Sequence, residues 1–284
     1  MTERAVARID LGAVERNCTR LPKPLCAVVK ADAYGHGMGP VVEAALAGGA
    51  TWLAVATAGE AAELRRLAVD VPVLVMGALT RDELRVAIDA EADVVAWSEQ
   101  VAEAAPRVHV KLDTGMGRLG TRDRELALRL AARPNTVGLM THFATADELA
   151  DDLFPAQLQA FGEFVDEVGR DDVVVHAANS AAALREPAAH FDMVRCGVAI
   201  YGLDPFQHDP ADHGLEPAMT LRSWVAAPSA SGTRSPSGGA PGGRRAINRF
   251  SRTGPSTWSC PLPDISASWS QASACRHTRS PPCS

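Results

Sequence analysis

Five short stretches of the chain collect residue types that do chemistry. In CAVVKADAYGHG (26–37), Lys30 closes an apolar, β-branched run, and Tyr34 and His36 follow in a glycine-rich turn. Partial burial lowers a lysine's pKa and frees its amine to attack a carbonyl. A strand-end lysine can equally lay its stem on the core and keep its head in water. In VKLDTGMGRLG (110–120), Lys111 lies in the run and Arg118 in the loop, where Gly115, Gly117 and Gly120 allow close approach to a small ligand. Arg118 is there either a clamp for a carboxylate or phenolate or a solvated loop residue. His142, in THFATADE, either orients another group or is a satisfied structural histidine. Ser180, in VVVHAANSAAAL (173–184), opens a helix, whose N-terminus is an anion site unless the serine is only its cap. Arg195, in DMVRCGVAIYGL (192–203), precedes Gly197 and Val198, whose backbone N–H groups can hold a phosphate.

These groups need elements to bring them together. Apolar runs recur at Leu25–Val29, Trp52–Ala56, Val71–Val75, Asp93–Trp97, Val108–Leu112, Val137–Thr141, Val173–Val175 and Met193–Arg195. They lack polar alternation, as parallel strands covered on both faces do. Helical patterns such as AGEAAELRRLAV, RDELRVAIDA and FPAQLQAFGEFVDEVG separate most of them. Eight strand–helix units imply an α/β fold, a (βα)8 TIM-type barrel, with a doubly wound sheet as second choice. In such a barrel the site lies at the C-terminal ends of the strands, and the first and eighth strands are neighbours. Lys30 then stands beside an anion cradle after strands seven and eight. A lysine next to a phosphate site suits pyridoxal 5′-phosphate, an aldehyde that carries a phosphate. A further strand, Ala5–Asp10, precedes the eight and needs a partner outside the barrel.

Composition bounds the rest. The 284 residues include 46% apolar side chains and carry a formal charge of −6, which argues against broad binding of nucleic-acid phosphates. No long apolar stretch or secretory signal is visible, and none of the six cysteines forms a CxxC pair, so a reducing cytoplasm without a metal site is expected. The average conceals a break near Ala227. Residues 1–227 hold 21 basic and 33 acidic side chains, a net −12, whereas the last 57 hold seven arginines, no lysine and one acid, a net +6. Those 57 include 13 Ser, 8 Pro and 6 Gly, a composition that cannot bury enough surface to offset chain entropy. Disorder is expected there. The segment reads either as a natural flexible tail or as a GC-rich gene translated out of frame.

Taken in order, AVVKADAYGHG, KLDTGMGRLG, THFATADE, HAANSAA and MVRCGVAIYGL resemble the bacterial alanine racemase family, from about residue 4 to Ala227. RSWVAA resembles the entry to that family's second, β-rich domain. The resemblance implies a pyridoxal-phosphate enzyme that interconverts L- and D-alanine for peptidoglycan, a cytoplasmic homodimer with no membrane or nucleic-acid partner. Racemases of other amino acids such as serine share the barrel motifs. Single-domain, non-catalytic pyridoxal-phosphate barrel proteins share the architecture. The domains implied are an N-terminal strand (1–10) that pairs with the second domain, the barrel (11–218), the start of the β domain (219–227) and an aberrant tail (228–284).

By the same resemblance, Lys30 holds the cofactor covalently and serves as an acid–base group at the substrate Cα. Tyr34, Ser180 and the backbone of Gly197 and Val198 contact the phosphate, and Tyr201 completes that loop. Arg195 faces the pyridine nitrogen, and Arg118 contacts the phenolic oxygen and the substrate carboxylate. Lys111 matches a lysine that is often carbamylated and then orients Arg118. His142 and His176 lie near the ring, His142 helping to orient Arg195. One departure stands out. In the family a tyrosine from the partner subunit's second domain serves the other face of Cα. This chain has only Tyr34 and Tyr201, both in the barrel motifs, so impaired racemisation is expected.

Overall fold

A computed structural model describes residues 5–223, together with 251–252 and 258–259. Twelve strands and nine α-helices are present among these residues. The barrel strands are β2 (Leu25–Val28), β3 (Ala50–Val55), β4 (Val73–Val75), β5 (Asp93–Ala96), β6 (Val108–Lys111), β7 (Thr136–Met140), β8 (Val174–His176) and β9 (Val194–Cys196). They hydrogen-bond in parallel in the order β8-β7-β6-β5-β4-β3-β2-β9. The seam between β8 and β9 is bridged by Asp192 N–H to the Val175 carbonyl and Arg195 N–H to the Ala178 carbonyl, each 2.9 Å. The Asp192 carboxylate accepts from Val175 N–H at 2.7 Å. The chain therefore forms the (βα)8 barrel, and the doubly wound sheet is ruled out.

Side chains alternate along each strand, so one set faces the barrel interior and the other the helices. Cys26, Val28, Ala54, Leu74, Val95, Met140 and Met193 form the inner apolar cluster. Leu25, Ala27, Leu53, Val73, Val94 and Val108 belong to the cluster shared with the helical layer. This two-sided burial explains why the runs are apolar without alternation.

The helices start where the sequence supplies caps. In α4 (Ala58–Arg66) and α5 (Arg81–Asp89), Thr57 with Glu60 and Thr80 with Glu83 form reciprocal capping boxes. Asp10 caps α1 (Leu11–Arg20) through Ala13 N–H. The 16-residue α8 (Leu153–Val168) ends at Gly169 in the left-handed conformation. α2 (Lys30–Gly35) departs from all of these. Ala31, Asp32, Ala33 and Tyr34 all have φ between 52° and 55°, so the turn after Lys30 is left-handed. The remaining helices are α3 (Met38–Ala47), α6 (Glu99–Ala104), α7 (Arg124–Ala131) and α9 (Ser180–Arg185).

Two units divide the chain, one spanning Ile9–Met219 and the other Met1–Arg8 with Thr220–Ser284. In the second, β1 (Ala5–Ile9) pairs with β10 (Met219–Ser223), and β11 (Ser251–Arg252) pairs antiparallel with β12 (Trp258–Ser259). The expectation of a disordered, frame-shifted or natural tail at 228–284 otherwise lies outside the described residues.

Candidate active site

The pairing of β2 with β9 sets the site. Cys26 is in register with Arg195 and Ala27 with Cys196, which brings the segment after β2 alongside the segment after β9. Lys30 begins just beyond β2. Burial, and then the charge of Arg118, push its amine below the ordinary lysine range, with Glu60 opposing. Its Nζ lies 5.8 Å from the Tyr34 ring centroid.

The left-handed turn aims Tyr34 back toward β9. Four non-glycine residues in this conformation cost on the order of 1–2 kcal/mol each, so the turn needs outside support. Glu60 accepts from Ala31 N–H at 2.6 Å and from Ala56 N–H at 2.8 Å. Asp32 accepts from Met38 N–H at 2.7 Å. Tyr34 then meets Gly197, where a Cβ would stand 2.5 Å from its hydroxyl oxygen. Burial pushes the Tyr34 phenol up to about 12, so it stays a donor at neutral pH.

Ser180 is the first residue of α9, and the cap is Asn179, whose side chain accepts from Ala182 N–H at 3.0 Å. That frees the Ser180 hydroxyl, which accepts from Gly197 N–H at 3.1 Å and Ala199 N–H at 3.3 Å. The Ser180 hydroxyl, which takes up the Gly197 and Ala199 amides, and the Tyr34 hydroxyl thus both meet this loop at Gly197, where a side chain is missing. Val198 opens the 3₁₀ turn Val198–Tyr201 in this loop. Tyr201 sits deeper than the sequence suggests. It is 1% exposed, donates to the Val28 carbonyl at 3.0 Å and lies 4.9 Å from the Tyr34 ring. Its hydroxyl is committed to the core, so it backs Tyr34 and leaves the open face of the cradle to the other groups.

Arg195 is buried in the barrel interior with neutral acceptors. It donates to His176 Nδ1 at 2.7 Å, to the Thr141 carbonyl at 2.8 Å and to the Ala177 carbonyl at 2.9 Å, with a longer 3.4 Å approach to His142 Nδ1. Burial lowers its pKa to about 10, which still leaves it charged at neutral pH. Burial and the surrounding cations, Arg195 first among them, hold His142 and His176 well below the histidine range and therefore neutral. Lys111, 5% exposed, donates to the Arg118 carbonyl at 3.1 Å, and burial with the charges of Arg195 and Arg118 lowers it to about 8. The Arg118 side chain is exposed, and its charge acts on Lys30, Tyr34, Lys111 and His142.

Four supporting residues escape the sequence reading. Gln157, fully buried on α8, accepts from Ala144 N–H and donates to Thr114 Oγ1 and the His142 carbonyl, tying two site loops together. Asp113 accepts from Gly115 and Gly117 N–H and from Arg122, which closes the Arg118 loop. His109 and Asp93 continue inward from His176. Its Nε2 is 2.7 Å from His109 Nδ1, and His109 Nε2 is 3.1 Å from the Asp93 carboxylate. A histidine inside the apolar run VHVK was the one visible hint.

The fold and this rim define a class: parallel α/β barrels with a half-buried lysine, its amine below the ordinary lysine range, and a serine- and tyrosine-lined glycine turn on adjacent strands. The chain belongs to the alanine racemase family, matching the description "Alanine racemase, N-terminal domain" over residues 9–205. It is 40% identical over 250 residues to the alanine racemase of Beutenbergia cavernae, covering 78% of this chain and 66% of that protein. It is 41% identical over 251 residues to that of Thermobifida fusca, covering 79% and 67%. The solved alanine racemase from Streptomyces coelicolor A3(2) superposes with a TM-score of 0.68 at 39% identity, covering 78% of this chain and 66% of that one. The match thus spans about two-thirds of the length of these relatives.

Proposed function

We propose that this chain is the cofactor-binding barrel of a pyridoxal-phosphate-dependent alanine racemase, an isomerase that interconverts L- and D-alanine for peptidoglycan synthesis as a cytoplasmic homodimer. The observation that carries this reading is the β2–β9 register, which sets Lys30 beside the cradle of Tyr34, Ser180 and Gly197. The cofactor fits these residues. A Cβ at position 197 would fill the cradle, and a donor-only guanidinium ends at the same rim with neutral partners. We read β1 with β10 as the start of the family's second domain.

Bound pyridoxal 5′-phosphate would supply an aldehyde for covalent capture of an amine and a ring that acidifies the adjacent Cα–H. Lys30 would hold the cofactor through its amine and would be the group placed to move a proton at one face of the substrate Cα. Tyr34, Ser180 and the amides of Gly197 and Val198 would hold the phosphate, the Gly197 N–H giving up its bond to Ser180. Arg195, a donor-only guanidinium that stays charged at neutral pH, would face the ring nitrogen and favour its unprotonated form. Arg118 would bind the substrate carboxylate and the cofactor's phenolic oxygen. Lys111, neutral in part near pH 8, takes up carbon dioxide with loss of a proton, and the resulting carbamate orients Arg118. His142 and His176 stay neutral and support Arg195.

Borohydride reduction of the full chain loaded with pyridoxal 5′-phosphate tests the reading. Peptide mass mapping should place the label on Lys30, and Lys30→Ala should lose it. A label on another lysine, or no visible absorbance band on loading, would overturn the assignment.

A further inference from the structure

We infer that Asp93 and His109 are positioning residues for Arg195, acting through His176 along a single-direction hydrogen-bond relay inside the barrel. The inference rests on the reading of Arg195 as the ring-facing group. The relay crosses the interior from the site rim toward the opposite end of the strands. Arg195 is on β9, His176 ends β8, His109 is the second residue of β6 and Asp93 begins β5. All four are buried, with 3% exposure or less.

The two ends fix the direction. Arg195 can only donate, so His176 Nδ1, 2.7 Å away, must accept. A neutral His176 then carries its proton on Nε2 and donates to His109 Nδ1 at 2.7 Å. His109 in turn carries its proton on Nε2, which faces the acceptor-only Asp93 carboxylate at 3.1 Å. The reverse arrangement would put an N–H of His176 against an N–H of Arg195. Arg107 closes the far end with bonds of 2.6 and 3.2 Å to Asp93, and against the upward push of burial the hydrogen bonds from His109 and then Arg107 hold the carboxyl below its ordinary range. The buried cation at one end thus answers a buried anion at the other, with the two imidazole rings between them.

The barrel is built around this path. Position 138 on β7 is in register with His109, and a Cβ there would lie 2.1 Å from His109 Nδ1. Glycine at 138 leaves the space that the His109 ring occupies. The Trp52 ring meets His109 edge-on at 5.6 Å, which fixes the ring plane.

Histidine tautomers report the relay without any cofactor. In the full chain labelled with ¹⁵N-histidine, two-bond ¹H–¹⁵N spectra should show both His109 and His176 protonated on Nε2 alone. Asp93→Leu should populate the other tautomer of His109 above roughly a tenth, since one charge-assisted bond sets a ratio of about tenfold or more. His176, still facing Arg195, should keep its proton on Nε2, but the Nε2 shift should move as His109 ceases to accept from it. Position 93 does not touch His176, so a merely structural role would not produce this. On loading with pyridoxal 5′-phosphate, the absorbance maximum should shift in Asp93→Leu and return in Asp93→Asn, which keeps an acceptor. A wild-type His176 protonated on Nδ1 would overturn the relay, as would a folded Asp93→Leu with unchanged tautomers. If Asp93→Leu does not fold, the wild-type spectrum and Asp93→Asn decide. Intact tautomers in a chain that binds no pyridoxal 5′-phosphate would support the relay and sink the cofactor reading.

Discussion

Lys111 shows how burial prepares a side chain. Its amine is lowered to about 8, against 10.5 for an ordinary lysine, by desolvation and then by Arg195 and Arg118. Below pH 8 it is protonated in both folded and unfolded chains, and the burial cost is present in full. Between pH 8 and 10.5 the unfolded chain holds a proton that the folded chain has released, so stability rises with pH through that window. Wild type should gain on the order of 3 kcal/mol over Lys111→Met across this window. Urea unfolding of both proteins at each end of the window reads the difference, and equal gains would rule out a depressed lysine. At position 197 the constraint is space. Gly197→Ala would put a methyl carbon 2.5 Å from the Tyr34 hydroxyl oxygen. Overpacking of that kind costs about 1–3 kcal/mol, so affinity for pyridoxal 5′-phosphate should fall roughly tenfold or more in a titration followed by absorbance.

At the scale of elements, α2 reverses an ordinary rule. Alanine normally exceeds glycine in a helix, yet Ala31 is exposed and has φ 53° and ψ 53°. Glycine there relieves about 1–2 kcal/mol of left-handed strain and adds roughly 0.4–1 kcal/mol of unfolded-chain entropy. Ala31→Gly should therefore stabilise the chain by about 0.5–1 kcal/mol, and a drop in denaturation midpoint would count against the turn. Its handedness was not legible, because four consecutive non-glycine residues give no sign of positive φ. The strands were legible, since two-sided burial leaves uninterrupted runs such as LCAVV and VLV. Lys30, Arg118 and Arg195 were legible because each lies at a strand end or in the loop beyond. The path from Arg195 to Asp93 was not, because it is shared among β9, β8, β6 and β5, with one or two polar residues on each. Only the pairing of His109 with Gly138, a ring opposite a gap, turns VHVK and TVGLM into one signal.

For the whole molecule the decisive question is how many faces of a substrate Cα the chain can reach with a base. Lys30 reaches one. The sequence holds two tyrosines, and neither phenol is suited to serve the other face: Tyr201 gives its hydroxyl to the Val28 carbonyl, and Tyr34 turns its own toward Gly197. Burial raises the pKa of both phenols. Neutral His142 contacts Arg195, and His176 is spent on Arg195 and His109. A chain loaded with pyridoxal 5′-phosphate should therefore exchange the Cα proton of one alanine enantiomer with solvent while inverting it at least about a hundredfold more slowly, the usual worth of a positioned acid–base group. Proton NMR in deuterium oxide reads the exchange, and the optical rotation of the same sample reads the inversion. Adding a full-length alanine racemase whose own Schiff-base lysine is replaced should raise inversion without changing exchange, provided the two chains pair and the partner presents a base to this barrel. Equal rates of exchange and inversion in the chain alone would mean that a residue of its own serves the second face.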